Sequence, residues 1–360
     1  MELPVVRFNR EEGADFVSEL RKRVNDYFVD NNLSKFGNSN MVVKTIFMLT
    51  LYFVPFGFII SGMIESFWFM MFLWFVMGLG MCGIGASVVH DANHGSYSRN
   101  KWINHFLGSM LNLVGSYHVT WKIQHNVLHH SSTNVHDFDQ DLDNPFMRFS
   151  PFQERKKIFK FQAYYAPFLY GFMSLNKMFN DFGQIIEYKK KKLLTGQGVT
   201  IQKAMIQNAI GKLVYLGVTL VLPIILLDMA WWQIVIGFFV MHFVCGLMLS
   251  LIFQAAHVIE KTSFYTADEE SSLDNCWAIH QLNTTANFAK NSRWLSWLIG
   301  GLNFQVEHHL FPHICHVHYQ NISEIVKRIA KEYNIEYHEY PTFFSGIRSH
   351  FKMLNQLGRA

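Results

Sequence analysis

The residues of this chain best suited to chemistry are its histidines. Of 18 histidines, seven fall into three tight groups: His90 and His94; His125, His129 and His130; His308 and His309. His257, in Gln254-Ala255-Ala256-His257, is an eighth candidate. A spacing of four puts two rings on one face of a helix. His90/His94 has that spacing, and His125/His129 repeats it with His130 as a neighbour. Imidazole suits Fe, Zn, Cu and Ni, so ligand type alone does not choose the metal. One ion with open positions uses about three or four protein ligands, so eight candidates point to two ions. Asp91 and Glu307 adjoin the histidines and are placed to orient imidazole N–H groups. Lone histidines such as His105, His118, His242 and His350 read as structural or solvated.

Asp137, Asp139, Asp141 and Asp143 alternate like the start of a calcium loop. Leu142 stands where such a loop needs Gly, and Arg148 where it needs its last Glu. A role in orienting a ligand or capping a loop fits them better.

The elements that must position these groups are membrane-length. Half of the 360 residues are hydrophobic and 16% are charged, against about a quarter charged in a soluble domain. A net charge of +4 argues against a nucleic-acid partner. Cys82, Cys245, Cys276 and Cys315 form no Cys-x-x-Cys pair, which fits a reducing compartment. The polar N-terminus does not resemble a cleavable signal peptide. One span needs ~20 apolar residues, so the two long apolar blocks predict two helical hairpins, with spans at about 41–63, 67–89, 210–228 and 230–253. The expected organisation is a polar segment 1–40 with an amphipathic helix over Glu11–Phe28, a membrane domain 41–325, and a polar segment 326–360. Ile103–Val119 reads as interfacial or re-entrant. Basic residues flanking one side, Lys189–Lys192 among them, make the histidine-bearing side cytoplasmic. The predicted fold class is an all-α integral membrane protein: four transmembrane helices in two hairpins, with a cytoplasmic helical cap holding a di-metal site.

His90-Asp91-Ala92-Asn93-His94, His125-Asn126-Val127-Leu128-His129-His130 and Gln305-Val306-Glu307-His308-His309 resemble the three histidine boxes of membrane fatty-acid desaturases. The family pattern is H-x3-4-H, H-x2-3-HH and [HQ]-x2-HH, and the resemblance covers roughly residues 40–325. The run Gly301-Leu302-Asn303-Phe304-Gln305-Val306-Glu307-His308-His309-Leu310-Phe311-Pro312 is more specific still. Gln305 at the head of the third box resembles the front-end branch. Enzymes of that branch insert a double bond between an existing one and the carboxyl end, usually at Δ5 or Δ6.

The resemblance implies two non-haem iron ions, O2 and two electrons per turnover. It makes ligands of His90, His94, His125, His129, His130, His308 and His309, and His257 matches the further histidine after the fourth span. Gln305 departs from an all-histidine box, as a ligand or as an orienting group. The substrate would be a fatty acyl-CoA or a lipid-linked acyl chain, drawn from membrane lipid. No His-Pro-Gly-Gly haem motif is present, so the expected electron donor is a separate ferredoxin or cytochrome b5, which the Lys189–Lys192 run would attract. The expected location is a bacterial inner membrane. Such chemistry removes hydrogens from unactivated methylenes, which no side chain can do unaided. The protein's task is then to place one C–C bond, in an apolar tunnel with Trp121, Phe146, Trp277 and Phe304 as candidate lining. The nearest rival is a fatty acyl or sphingolipid hydroxylase on the same scaffold. A zinc membrane hydrolase and a non-catalytic metal-holding protein are more distant ones.

Overall fold

Four helices of the computed structural model are long and apolar enough to cross a membrane: Ser39–Ile60, Phe67–Asn93, Ile201–Leu226 and Trp231–His257. The structure describes residues 6–268 and 271–360, so the first five residues of the expected N-terminal segment lie outside it. The chain forms two compact units, residues 39–123 with 167–250 and residues 6–38 with 124–166 and 251–360.

In the first unit, side-chain size decides which helix faces meet. A Cβ on Gly80 would stand 2.7 Å from the backbone of Leu51 and Tyr52, and one on Gly78 would stand 2.6 Å from Met241 O. Only glycine allows these backbones so close, which is how membrane helices pack where there is no water to drive them together. Large apolar side chains such as Phe53, Phe58, Trp68 and Phe72 are exposed and suit lipid. Ser66 starts the second helix by accepting from Phe69 N, and Thr200 starts the third by accepting from Lys203 N. Asp181 and His242 are buried and paired. Asp181 accepts from Lys212 Nζ (2.7 Å), Tyr117 N (2.9 Å) and Thr120 Oγ1 (2.6 Å). His242 meets Ser174 Oγ at 3.0 Å and Tyr215 OH at 2.7 Å.

The segment expected at the membrane interface forms a helix, Lys101–Ser109, then a 3-10 turn, Met110–Val114, then a short helix, His118–Lys122. Trp102 and Phe106 stand exposed on the first of these.

The second unit is also helical, and its sheets are two-residue parallel pairs: Arg7–Phe8 with Ser272–Leu273, and Asn287–Phe288 with Glu339–Tyr340. The amphipathic pattern near the N-terminus becomes the helix Ala14–Asp30. Its Phe16, Leu20, Val24 and Phe28 pack into one core with Ile322, Val326 and Ile329 of the helix Tyr319–Glu332. Burying each such side chain contributes about 1.5–3 kcal/mol. Arg23 reaches Glu332 at 2.7 Å on the rim. Arg148 donates to Leu357 O (2.7 Å) and Gln153 O (2.8 Å), so its guanidinium is a backbone clamp rather than a calcium-loop substitute.

Candidate metal centre

The first histidine group lies in the first unit, at the end of the helix Phe67–Asn93. That helix changes to π geometry over Ile84–Val89, just before His90. Such turns are rare, and frequent at functional sites. The rings of His90 and His94 are 4.8 Å apart, and Trp121 stands edge-on to both, at 5.8 and 6.1 Å. Asp91 is buried, with a carboxylate oxygen 3.6 Å from His90 Nδ1.

The second unit gathers the other six candidates: His125, His129, His130, His257, His308 and His309. The expectation that His125 and His129 share an α-helical face needs correcting. Ile123–His129 is a π-helix, and His130 N donates to His125 O at 3.0 Å. Its wider turn brings His130 under His125, with ring centroids 4.7 Å apart against 5.5 Å for His125 and His129. His130 Nε2 lies 3.3 Å from His125 Nε2 and 2.9 Å from His308 Nε2.

His129, His257 and His309 form the best-defined group. One ring nitrogen from each lies within 4.8 Å of the others, and all three rings are buried. In each, the Nδ1 side faces a protein acceptor. Asp139 Oδ2 lies 3.0 Å from His129, Thr284 O lies 3.3 Å from His257, and Gln281 Oε1 lies 2.8 Å from His309. An acceptor at Nδ1 keeps the proton there and leaves the Nε2 lone pair for a cation. His129 Nε2 and His257 Nε2 are buried without a hydrogen-bond partner among the described residues. A buried unfilled nitrogen costs about 1–3 kcal/mol, so two aimed at one place fit a metal ion. A second overlapping group, His130, His308 and His309, also has its ring nitrogens within 4.8 Å.

Electrostatics favour a cation here. Burial alone would push the His129 imidazole down, but the Asp139 carboxylate outweighs it and holds the ring above its usual value. Asp139 is itself fixed by Asn134 N (2.9 Å) and Asp141 N (3.0 Å). The acidic alternation thus supplies both a loop cap and an imidazole acceptor.

Glu307 is fully buried, but its oxygens accept from Asn287 Nδ2 (2.7 Å) and Tyr337 OH (2.9 Å). Burial lifts its carboxyl to about 7. Its hydrogen bonds thus brace the third box from behind. Gln305 is buried, with its amide donating to Leu302 O at 2.9 Å. Trp277 Nε1 donates to His130 O at 3.2 Å, which places its indole beside the cluster. Phe304 is buried in the core against the N-terminal helix, whereas Phe146 is 65% exposed at the surface.

Sequence reasoning missed Gln281, Thr133 and Thr284. Thr133 Oγ1 donates to Gln281 Oε1 at 3.0 Å, the same oxygen that faces His309. The available signal was a polar stripe, Gln281, Thr284 and Thr285, at helical spacing on the helix Trp277–Thr284 and its end.

The fatty acid desaturase family model matches residues 66–341. The chain is 35% identical to a sn-1 linoleoyl-lipid 6-desaturase of Synechocystis sp., over 99% of this chain and 98% of that one. It is 34% identical to an acyl-lipid (8-3)-desaturase of Physcomitrium patens, over 96% of this chain and 72% of the relative. A probable Delta(5) fatty acid desaturase C of Dictyostelium discoideum is 31% identical, over 96% and 77%.

Proposed function

The chain belongs to the fatty acid desaturase family, and on that premise we propose that it is a di-iron, O2-dependent acyl-lipid desaturase of the front-end type, acting at Δ5 or Δ6. The observation that carries this reading is the trio His129, His257 and His309, with Nδ1 facing protein acceptors and ring nitrogens converging. Its ligands are His90, His94, His125, His129, His130, His257, His308 and His309, holding two iron ions. When bound, the two ions would supply, with O2, two electrons and two protons, the oxidising chemistry that takes two hydrogens from adjacent methylenes and yields two waters.

The chain's own residues do the rest. Asp139, Gln281 and the Thr284 carbonyl hold the Nδ1 protons and so fix the tautomers. Asn287 and Tyr337 fix the helix carrying His308 and His309 through Glu307. Trp277 holds the backbone at His130. The front-end assignment rests on Gln305 at the head of the third box and on the relatives' names, which include a linoleoyl-lipid 6-desaturase and a Delta(5) desaturase. Those names also favour a lipid-linked acyl chain over acyl-CoA. The protein is a membrane protein, with its histidine side on the cytoplasmic face of a bacterial inner membrane. Lys189, Lys190 and Lys192 are exposed and suit an acidic ferredoxin or cytochrome b5 as donor.

The test is mass spectrometry of fatty acids from a host lacking polyunsaturates, fed linoleate and expressing this chain, with His308→Ala as control. The expected product has a new double bond on the carboxyl side of the existing ones, absent from the control. A hydroxylated product would move the enzyme to the rival class, and purified protein without iron would overturn the di-iron reading.

A further inference from the structure

A cavity of about 310 Å³ lies wholly within the first unit, lined by Asn93, His94, Lys101, His105, His118 and Lys122 among others. Lys101, Asn104 and His105 share one face of the helix Lys101–Ser109, at spacings of three and four. His118 and Lys122 line it from the helix His118–Lys122, again four apart. Its lining contains two lysines and three imidazoles and no carboxylate. Neither lysine has an ion-pair partner among the described residues. Lys122 is half-buried, and burial holds its ammonium below the usual value. Burial, with His105 and Lys122 nearby, likewise takes His118 down to about 4. Such a cavity favours an anion.

We propose that this cavity receives the phosphate diester of an anionic glycerolipid headgroup, held by Lys101 and Lys122 with His105 at the rim. The proposal rests on the reading of the chain as an acyl-lipid desaturase and adds the headgroup chemistry. Two features choose a lipid over a soluble phosphate compound. The opposite face of the Lys101–Ser109 helix exposes Trp102 (80%), Ile103 (42%) and Phe106 (68%). A helix with a lysine on one face and aromatic rings on the other suits the lipid interface, which sets the cavity at headgroup depth. The lining also holds no Phe, Tyr or Trp, so only the imidazoles offer a ring to the adenine of a CoA. His94 is part of the wall. A headgroup bound here lies beside a proposed iron ligand, as a cut near the carboxyl end requires.

The test is titration calorimetry of the full-length chain in neutral detergent. The probes are dioctanoyl phosphatidylglycerol, inorganic phosphate, free CoA and dioctanoyl galactosylglycerol. Phosphatidylglycerol is expected to bind most tightly. K101E/K122E should weaken it by about tenfold or more, as loss of two charge-assisted contacts implies, while K101R/K122R retains it. Should the double reversal not fold, K122Q alone is expected to weaken binding by several-fold. Galactolipid binding as tight as phosphatidylglycerol, tighter binding of CoA or inorganic phosphate, or indifference to the charge changes would each overturn the assignment. Iron content and desaturation of linoleoyl lipids are read separately. A chain that binds phosphatidylglycerol but makes no double bond sinks the desaturase reading and keeps this site, whereas an active chain that does not bind it does the reverse.

Discussion

Two sets of buried histidine are treated in opposite ways. His242, deep in the first unit, has a protein partner at each ring nitrogen: Ser174 Oγ at Nδ1 and Tyr215 OH at Nε2. His129 and His257, in the second unit, have an acceptor at Nδ1 and none among the described residues at Nε2. Burial is nearly equal, so burial does not distinguish a structural imidazole from a ligand. The accounting of each nitrogen does, because a buried nitrogen left unfilled is costly unless something outside the chain fills it.

The strongest way to break that comparison is substitution on each side of it. His129→Ala is expected to lose metal and bring activity to background, read by metal analysis and product formation. His242→Ala should keep its metal while lowering the thermal midpoint. Equal metal loss in both would end the distinction. Next in size, Asp139→Asn is expected to weaken metal affinity about 10–100-fold, since the acceptor holding the His129 tautomer is impaired. A metal titration of the apoprotein checks this, and an unchanged affinity would make Asp139 a loop cap alone.

A third test uses protons. His280 and His350 are buried outside the membrane-spanning helices, bonded to Thr133 O and Val258 O, and burial takes each to about 4. The unfolded chain takes up these protons near pH 6.5 and the folded chain only near 4. Stability from these groups is therefore full above about pH 6.5 and falls as pH drops towards 4, by at most about 3 kcal/mol per group. Thermal midpoints across that range should fall, and less steeply in His350→Gln. The smallest effect is expected of Tyr215→Phe, which leaves His242 Nε2 without its partner. It should cost about 1–2 kcal/mol with metal content unchanged.

The apolar blocks made the four membrane-length helices legible, although the helices run past the blocks. The third begins at Ile201, before the apolar run. Hydropathy marks the part of a helix that needs lipid, and capping residues such as Thr200 mark where it starts. The histidine groups were legible as chemistry, because seven imidazoles in three clusters have no cheap structural explanation. Their arrangement was less so. Spacing along a sequence converts to direction only once the helix type is known, and the π turn at Ile123–His129 carries no local signature. Gln281 and Thr133 were hidden because polar residues on a buried helix look alike until their partners are seen.

That π turn bears on the looseness of the second box, written with either two or three residues between its first histidine and its pair. In an α-helix, two intervening residues set the histidines at i, i+3 and i+4, on one side. Three give i, i+4 and i+5, which an α-helix would swing round its axis and a π turn returns to alignment. His125, His129 and His130 show the longer spacing and the wider turn together. A one-residue insertion within the box is thus absorbed as a local change of helical pitch, and removing Asn126, Val127 or Leu128 should be tolerated only if the turn rewinds to α.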